Sequence, residues 1–440
     1  MDKQNITDFG VDNNKKFFRA CRHGHLQIVK LSLHNGVDIH SKNSYAIRKA
    51  SGRGHLAVVK FLLSNGADIH ADNDAALRFA CENGHLQMVK LLLLNGADIH
   101  AGNDAALRFA CRNGNLEMAK LSIQYDANIH AVNNEAFRLS CQYGHSKVVE
   151  LLIQNGAELH ANDHAILRFA CKNGHLKVVK ILIDNGINIC AGNDVALRYA
   201  SEYGHFEMVK LLIENDADIH ADDDISLGYA ALNGHLEIVK LLIQNGANIH
   251  AGNDHALDSA CLNGHLEIVK LLIQNGADIH ANNDYALGSA SQYGHLEVVK
   301  LLLQNGANIH GNNDDAFIVA CQNCHLKVVE LLLQNGANIH ADNDIAFTVA
   351  SQNGCLEVVK LLIRYGADIH ADNALEYACL NGHLEIVKLL IKNGANVNVD
   401  NNYAFALASA HDHTEVVKLL IQNGIDIYAD DNASKYVSKK

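Results

Sequence analysis

The sequence predicts an all-α repeat solenoid of stacked helix-turn-helix units joined by short extended loops, and three observations carry that reading. A 30-residue period built on the tract Asn-Gly-Ala-Asp-Ile-His starts near Val11 and runs to about Tyr428, which makes fourteen copies. Each copy holds two short runs of apolar residues at helical spacing. Nearly every run stops at a glycine, the residue that adopts the left-handed conformation at least cost. A period of this length, held over nearly the whole chain, points to stacked supersecondary units rather than compact domains.

The copy Ala71–His100 shows why each element forms. Asp74 precedes Ala-Ala-Leu and reads as a helix N-cap, its carboxylate accepting from the first free N–H groups; Asp104, Asn134, Asp194 and Asp284 recur in that slot. A short helix follows with Leu77, Ala80 and Cys81 on one face, and Gly84 ends it. The second helix carries Leu86, Val89, Leu92 and Leu93 and stops at Asn95-Gly96. Asp126 and Asp216 replace that last glycine in two copies, and aspartate is among the few residues that tolerate the conformation. The stretch corresponding to Ala97–Asn103 then reads as an extended link. The windows are 11–40, 41–70, 71–100, 101–130, 131–160, 161–190, 191–220, 221–250, 251–280, 281–310, 311–340, 341–370, 371–398 (shortened by two residues) and 399–428. Residues 1–10 precede them, and 429–440 read as a half-repeat cap with Asn432 at its start.

Gly84-His85-Leu86, Val89-Lys90-Leu91-Leu92 and Asn95-Gly96-Ala97-Asp98 are the residues on which the chain resembles ankyrin repeats. The resemblance implies an elongated right-handed superhelix and a protein-binding role on its concave helical face. The first half of the unit departs from the family. Ankyrin units usually span about 33 residues and open with Thr-Pro-Leu-His, whereas the corresponding run here is Ala75-Ala76-Leu77-Arg78. The missing residues come from the projecting hairpin, so shorter fingers are expected. In style, this array, with no proline and much asparagine, is similar to those of large DNA viruses of protists (mimivirus-like), which would make the partner a host protein.

Composition narrows the function classes. A net charge of −13 disfavours nucleic acid or an anionic membrane surface as partner, both of which want a basic face. MDKQNITDFG has no apolar core of a signal peptide, and no later stretch is apolar for long enough to span a bilayer. A monomer of the cytoplasm or nucleus, not secreted, is the resulting expectation. There is no P-loop, dinucleotide fingerprint, His-Glu-x-x-His or nucleophile elbow, so neither catalysis nor a cofactor is expected.

Histidine is in excess, at 28 residues. Twelve lie at the Gly-His slot (His25, His55, His85 and onward) and eleven end the repeat (His40, His70, His100 and onward). A metal ladder is the sharp reading. However, stacked helices lie about 8–10 Å apart and zinc ligands must reach within about 2.1 Å of the ion, so adjacent rungs cannot share one. Hydrogen bonding of these rings to backbone is the plainer reading. Cysteine recurs at a small, close-packed slot shared with serine and alanine, including Cys21, Cys81, Cys111 and Cys321. Cys321-Gln-Asn-Cys324-His325 fits the C-x-x-C-H haem pattern, but only Cys324, in place of the turn glycine, is new to the repeat. Together with the histidine ladders, Cys321, Cys324 and Cys355, one repeat on, supply an alternative reading of the chain as a metal- or redox-responsive binding protein.

Two sets of residues are candidates for partner binding. Arg78, Arg108, Arg138, Arg168 and Arg198 continue a row from Arg48 in one slot of the first helix, which later copies fill with Gly228, Asp258 or Gly288. That row could hold an acidic partner or brace the neighbouring backbone. The second set comes from slots that drift between copies: the first residue after the cap and the pair before the turn glycine. Ile225, Leu232, Leu262, Tyr285 and Tyr293 gather there in repeats 8 to 10, and such residues suit a binding hot spot.

Overall fold

A computed structural model describes residues 3–159, 164–370, 373–398 and 403–425. Among these the chain is all-helical, an array of twenty-eight α-helices with no strand, numbered in chain order from α1 (Lys3–His23) to α28 (Thr414–Gln422). Odd-numbered helices open each pair and even-numbered helices close it. In the copy analysed above these are α5 (Ala71–Glu82) and α6 (Leu86–Leu94). The expected boundary after residue 10 falls inside α1. The expected cap at 429–440 lies outside the described residues.

The apolar periodicity builds the core as the sequence implies. Leu77, Ala80 and Cys81 of α5 and Met88, Val89 and Leu92 of α6 are at most 1% exposed. Each side chain of leucine size buried this way contributes about 1.5–3 kcal/mol. A lone pair cannot cover these faces: α5 packs against both α3 (Ser41–Gly52) and α7 (Ala101–Arg112). The Leu77 slot alternates between leucine and the larger Phe137, Phe317, Phe347 and Phe405, all at most 1% exposed. Gly84 (φ 76°), Gly96 (90°), Asp126 (63°) and Asp216 (65°) take the expected left-handed conformation at helix ends.

The link between repeats is more compact than the extended link read from the sequence. Asp98 and His100 make an Asx turn, the His100 N–H donating to the Asp98 carboxylate at 2.9 Å. One turn of left-handed chain follows: Asp72, Asn73 and Asp74 have φ of 59°, 56° and 51° in their copy. Asparagine, aspartate and glycine crowd these slots because they reach that region at least cost.

The chain divides into two compact units, residues 1–200 with 214–217 and residues 201–213 with 218–440. The same helix pair repeats within each. No helix among the described residues is long and apolar enough to cross a membrane.

Candidate functional site

Side chains that couple one repeat to the next occupy most of the repeated polar slots. Histidines at the Gly-His slot make no cap bond to their own helix. Their Nε2 instead meets a backbone carbonyl one repeat back: His265 with Leu232 and His295 with Leu262 at 3.0 Å, His175 with Gln142 at 2.9 Å. The ring also lies over the turn glycine of that earlier repeat. A Cβ built on Gly264 would stand 2.4 Å from Nδ1 of His295, so the glycine is required by contact as well as by its φ of 71°.

The exceptions confirm the pairing. Asn115 stands in the histidine slot, and the glycine before it in the stack, Gly84, has nothing within 4 Å of a built Cβ. Asn115 instead caps its own helix, accepting from the Met118 N–H at 3.1 Å. Where the glycine becomes Cys324, the residue in the next histidine slot is Cys355, and the two form a disulfide with Cα atoms 5.0 Å apart.

The N-cap reading of Asp74 is corrected. The equivalent Asp314 and Asp344 make no side-chain cap bond, and the Asp74 carboxylate, 4% exposed, accepts from the Asp98 N–H of the next repeat at 2.9 Å and lies 3.3 Å from Nδ1 of His70. Asp104, Asp254 and Asp284 accept from Asn128, Asp278 and Asn308 in the same way. Because these aspartates sit in left-handed chain, their side chains aim across the stack rather than along their own helix. The histidines that end the repeat thus meet this carboxylate rather than backbone, as His100 meets Asp104 at 2.9 Å.

In the arginine row, Arg78 donates to the carbonyls of Asn73 and Asp72 at 2.9 and 2.7 Å. Arg108 donates to those of Asn103 and Gly102 and pairs with Glu135, and Arg138 donates to Asn133. These guanidiniums hold the carbonyls of the left-handed turn. Arg168 and Arg198 lie over the rings of Phe169 and Tyr199 at 4.8 and 5.2 Å. Where glycine replaces the arginine, a side chain one repeat on moves in: a Cβ on Gly228 would meet His255 at 2.8 Å. Asp258 in this slot is 9% exposed, and burial pushes its carboxyl up to about 7.

The apolar candidates lie on three successive first helices: Ile225 and Leu232 on α15 (Ala221–Leu232), Leu262 on α17 (Ala251–Leu262) and Tyr285 on α19 (Ala281–Gln292), with Tyr293 just after α19. Tyr285 and Tyr293 are 53% and 52% exposed; the three aliphatic residues are half-buried. Tyr293 stacks on His295, with ring centroids 6.4 Å apart. Ile225 and Tyr285 border crevices of about 10 and 20 Å³, room for about one water.

The recurrent cysteines are buried, and burial pushes thiols such as Cys81 and Cys111 up to about 12, which leaves them protonated and unreactive at neutral pH. Cys321, Cys324 and His325 do not converge as the haem pattern would need: Cys321 is a free buried thiol, Cys324 is bonded to Cys355, and His325 meets the Gln292 carbonyl at 2.9 Å. Among the described residues no three His, Cys, Asp or Glu side chains are grouped to hold a metal ion. An open cavity of about 420 Å³ on α1, α3 and α5, lined by Arg22, Lys49 and Arg53 among others, was missed in the sequence. Its one sequence signal is Gly52, in a slot filled by Arg22, Glu82 or Gln142 in other copies.

A family profile described as ankyrin repeats (3 copies) matches residues 17–103, 93–163, 160–223, 197–283, 280–343 and 347–431. Among solved structures, the human ASB11 ankyrin repeat domain is similar at 26% identity and a TM-score of 0.41, over 46% of this chain and 98% of that one. No curated protein sequence matches. With the profile repeated from residue 17 to residue 431, the chain belongs to the ankyrin repeat family.

Proposed function

We propose that this chain is a non-catalytic scaffold that grips a partner protein on the face made by its first helices and the turns after them, the concave face in ankyrin arrays. Ankyrin repeats are generally protein–protein interaction modules, which supports the class of function. The exposure of Tyr285 and Tyr293, at 53% and 52%, carries the choice of face. Other copies use these slots to couple repeats, as Glu135 does with Arg108 and Asn263 with the Leu232 carbonyl, whereas the two tyrosines present large aromatic groups to solvent, the kind interface hot spots use. The arginine row has a bracing duty at Arg78, Arg108 and Arg138. Arg168 and Arg198, which lie over aromatic rings, keep the row as a separate candidate contact for an acidic partner.

The array acts in this reading as a monomer in the cytoplasm or nucleus. The viral style of its composition makes a host protein the proposed partner. Alanine at Ile225, Leu232, Leu262, Tyr285 and Tyr293 together should abolish capture of partner proteins, and unchanged capture would refute the choice of face. A redox-responsive role is a second reading, carried by Cys324 and Cys355 alone. It predicts a partner set that differs between oxidised and reduced protein.

A further inference from the structure

Residues 11–70 hold ten lysines and arginines against three aspartates, in a chain of net charge −13. The structure gathers part of that excess at one place. Arg22 near the end of α1, Lys49 of α3 and Arg53 just after it line the open cavity of about 420 Å³, whose walls include the rings of Tyr45 and Phe79. The Lys49 ammonium lies over both rings, 5.4 and 5.5 Å from their centroids, which fixes a cation against an apolar wall. The cavity exists because Gly52 contributes no side chain; a Cβ there would already come 3.0 Å from Cβ of Phe79.

The cations differ in what they already hold. Arg48 pairs with Asp72 at 2.6 Å and donates to the Lys42 carbonyl, so its charge is largely answered. Among the described residues no carboxylate pairs with Arg22, Lys49 or Arg53, and Glu82 is the one acid on the rim. The field of this patch is felt nearby: the His23 imidazole titrates below its ordinary value, through desolvation first and then repulsion from Arg22, Arg19, His25 and Arg53.

We propose that this cavity binds an acidic segment of a partner protein. Carboxylates of the segment meet Arg22, Lys49 and Arg53, and an adjoining apolar side chain lies on Tyr45 and Phe79. The site rests on the scaffold reading above and supplies the chemistry of the partner. A short segment suits it better than an extended polyanion, which the acidic chain as a whole repels. The volume is in the range that accommodates a few side chains.

The test uses the 440-residue chain and a short fluorescein-labelled peptide of aspartate and glutamate residues around one phenylalanine, read by fluorescence polarisation. Its asparagine–glutamine counterpart and a single-stranded oligonucleotide serve as controls. The acidic peptide should bind, the amide peptide at least about tenfold more weakly. Binding should also weaken between about 50 and about 300 mM salt. Arg22→Gln with Arg53→Gln, both exposed, should reduce affinity about tenfold or more at unchanged helicity. Gly52→Gln should do the same by filling the cavity without changing charge. Equal binding of the acidic and amide peptides, insensitivity to all three substitutions, or tighter binding of the oligonucleotide would overturn the proposal. Loss of peptide binding in the Arg22/Arg53 variant while the five-alanine variant at Ile225, Leu232, Leu262, Tyr285 and Tyr293 retains every captured partner would leave this site standing and sink the face proposed for the scaffold. The converse pattern would do the opposite.

Discussion

Alanine at Gly264 tests how repeats are coupled, because the structure separates its cost into two parts. Gly264 has a φ of 71°, and placing alanine in that conformation costs roughly 1–2 kcal/mol. The added Cβ would also stand 2.4 Å from Nδ1 of His295. The ring must move, which loses its 3.0 Å bond to the Leu262 carbonyl, worth about 1 kcal/mol. The total is roughly 2–3 kcal/mol. Gly84 has a similar φ of 76° but nothing within 4 Å of its built Cβ, so Gly84→Ala bears only the first cost. Native-state hydrogen exchange of the flanking helices reads the difference locally, as an opening constant raised about fivefold or more at Gly264 over Gly84. With His295→Ala already present, Gly264→Ala should cost no more than Gly84→Ala does. Equal costs at the two glycines, or strict additivity of the Gly264 and His295 changes, would refute the reasoning.

Cys324 and Cys355 occupy a glycine slot and a histidine slot, so Cys324→Gly with Cys355→His should restore the ordinary contact. Hydrogen exchange of α22 (Leu326–Gln334) and α24 (Leu356–Tyr365) should then become indifferent to reductant, whereas in the parent chain reduction should speed it; a variant still sensitive to reductant would contradict this. Asp254→Ala leaves the Asp278 N–H without its 2.8 Å acceptor and should cost about 1–3 kcal/mol in urea denaturation, with a neutral result excluding the cross-repeat role. Burial raises the Asp258 carboxyl from 3.8 to about 7, against a lowering bond from Asn282. The folded chain therefore holds this proton more tightly than the unfolded one, and the stability it gives is full below about pH 4 and lost as pH rises through 7. The advantage of Asp258→Asn over the parent should grow across that window, and parallel pH profiles would rule it out.

The parts of the fold legible in the sequence were those decided within one repeat. Leu77, Val89 and Leu92 repeat at helical spacing, and Gly84 and Gly96 need left-handed chain whatever surrounds them. The misread parts depend on the neighbouring repeat. Aspartate before Ala-Ala-Leu looks the same whether it caps its own helix or, as Asp74 does, reaches a backbone N–H 24 residues on. Three successive left-handed residues at Asp72–Asp74 have no propensity signature beyond their asparagine and aspartate content. The glycine–histidine contact did leave a trace. Gly84 faces an asparagine slot and Cys324 faces Cys355, joint changes about one repeat apart that a single-unit reading does not compare. Of the candidate surface, the slots that drift were legible, and Tyr285 and Tyr293 are exposed as expected of them. The cavity at Gly52 was not, because it is made by a side chain that is missing.

The claim that binding belongs to the first-helix face is tested most directly by quantitative affinity capture with three forms of the 440-residue chain. The first is unaltered. The second carries alanine at Ile225, Leu232, Leu262, Tyr285 and Tyr293, and the third carries alanine at Glu237, Glu267, Lys270, Glu297 and Lys300, exposed positions on the second helices of the same repeats. The account predicts that the second form loses the captured partners and the third keeps them. Loss from the third form with retention by the second would place the interface on the opposite face and contradict it.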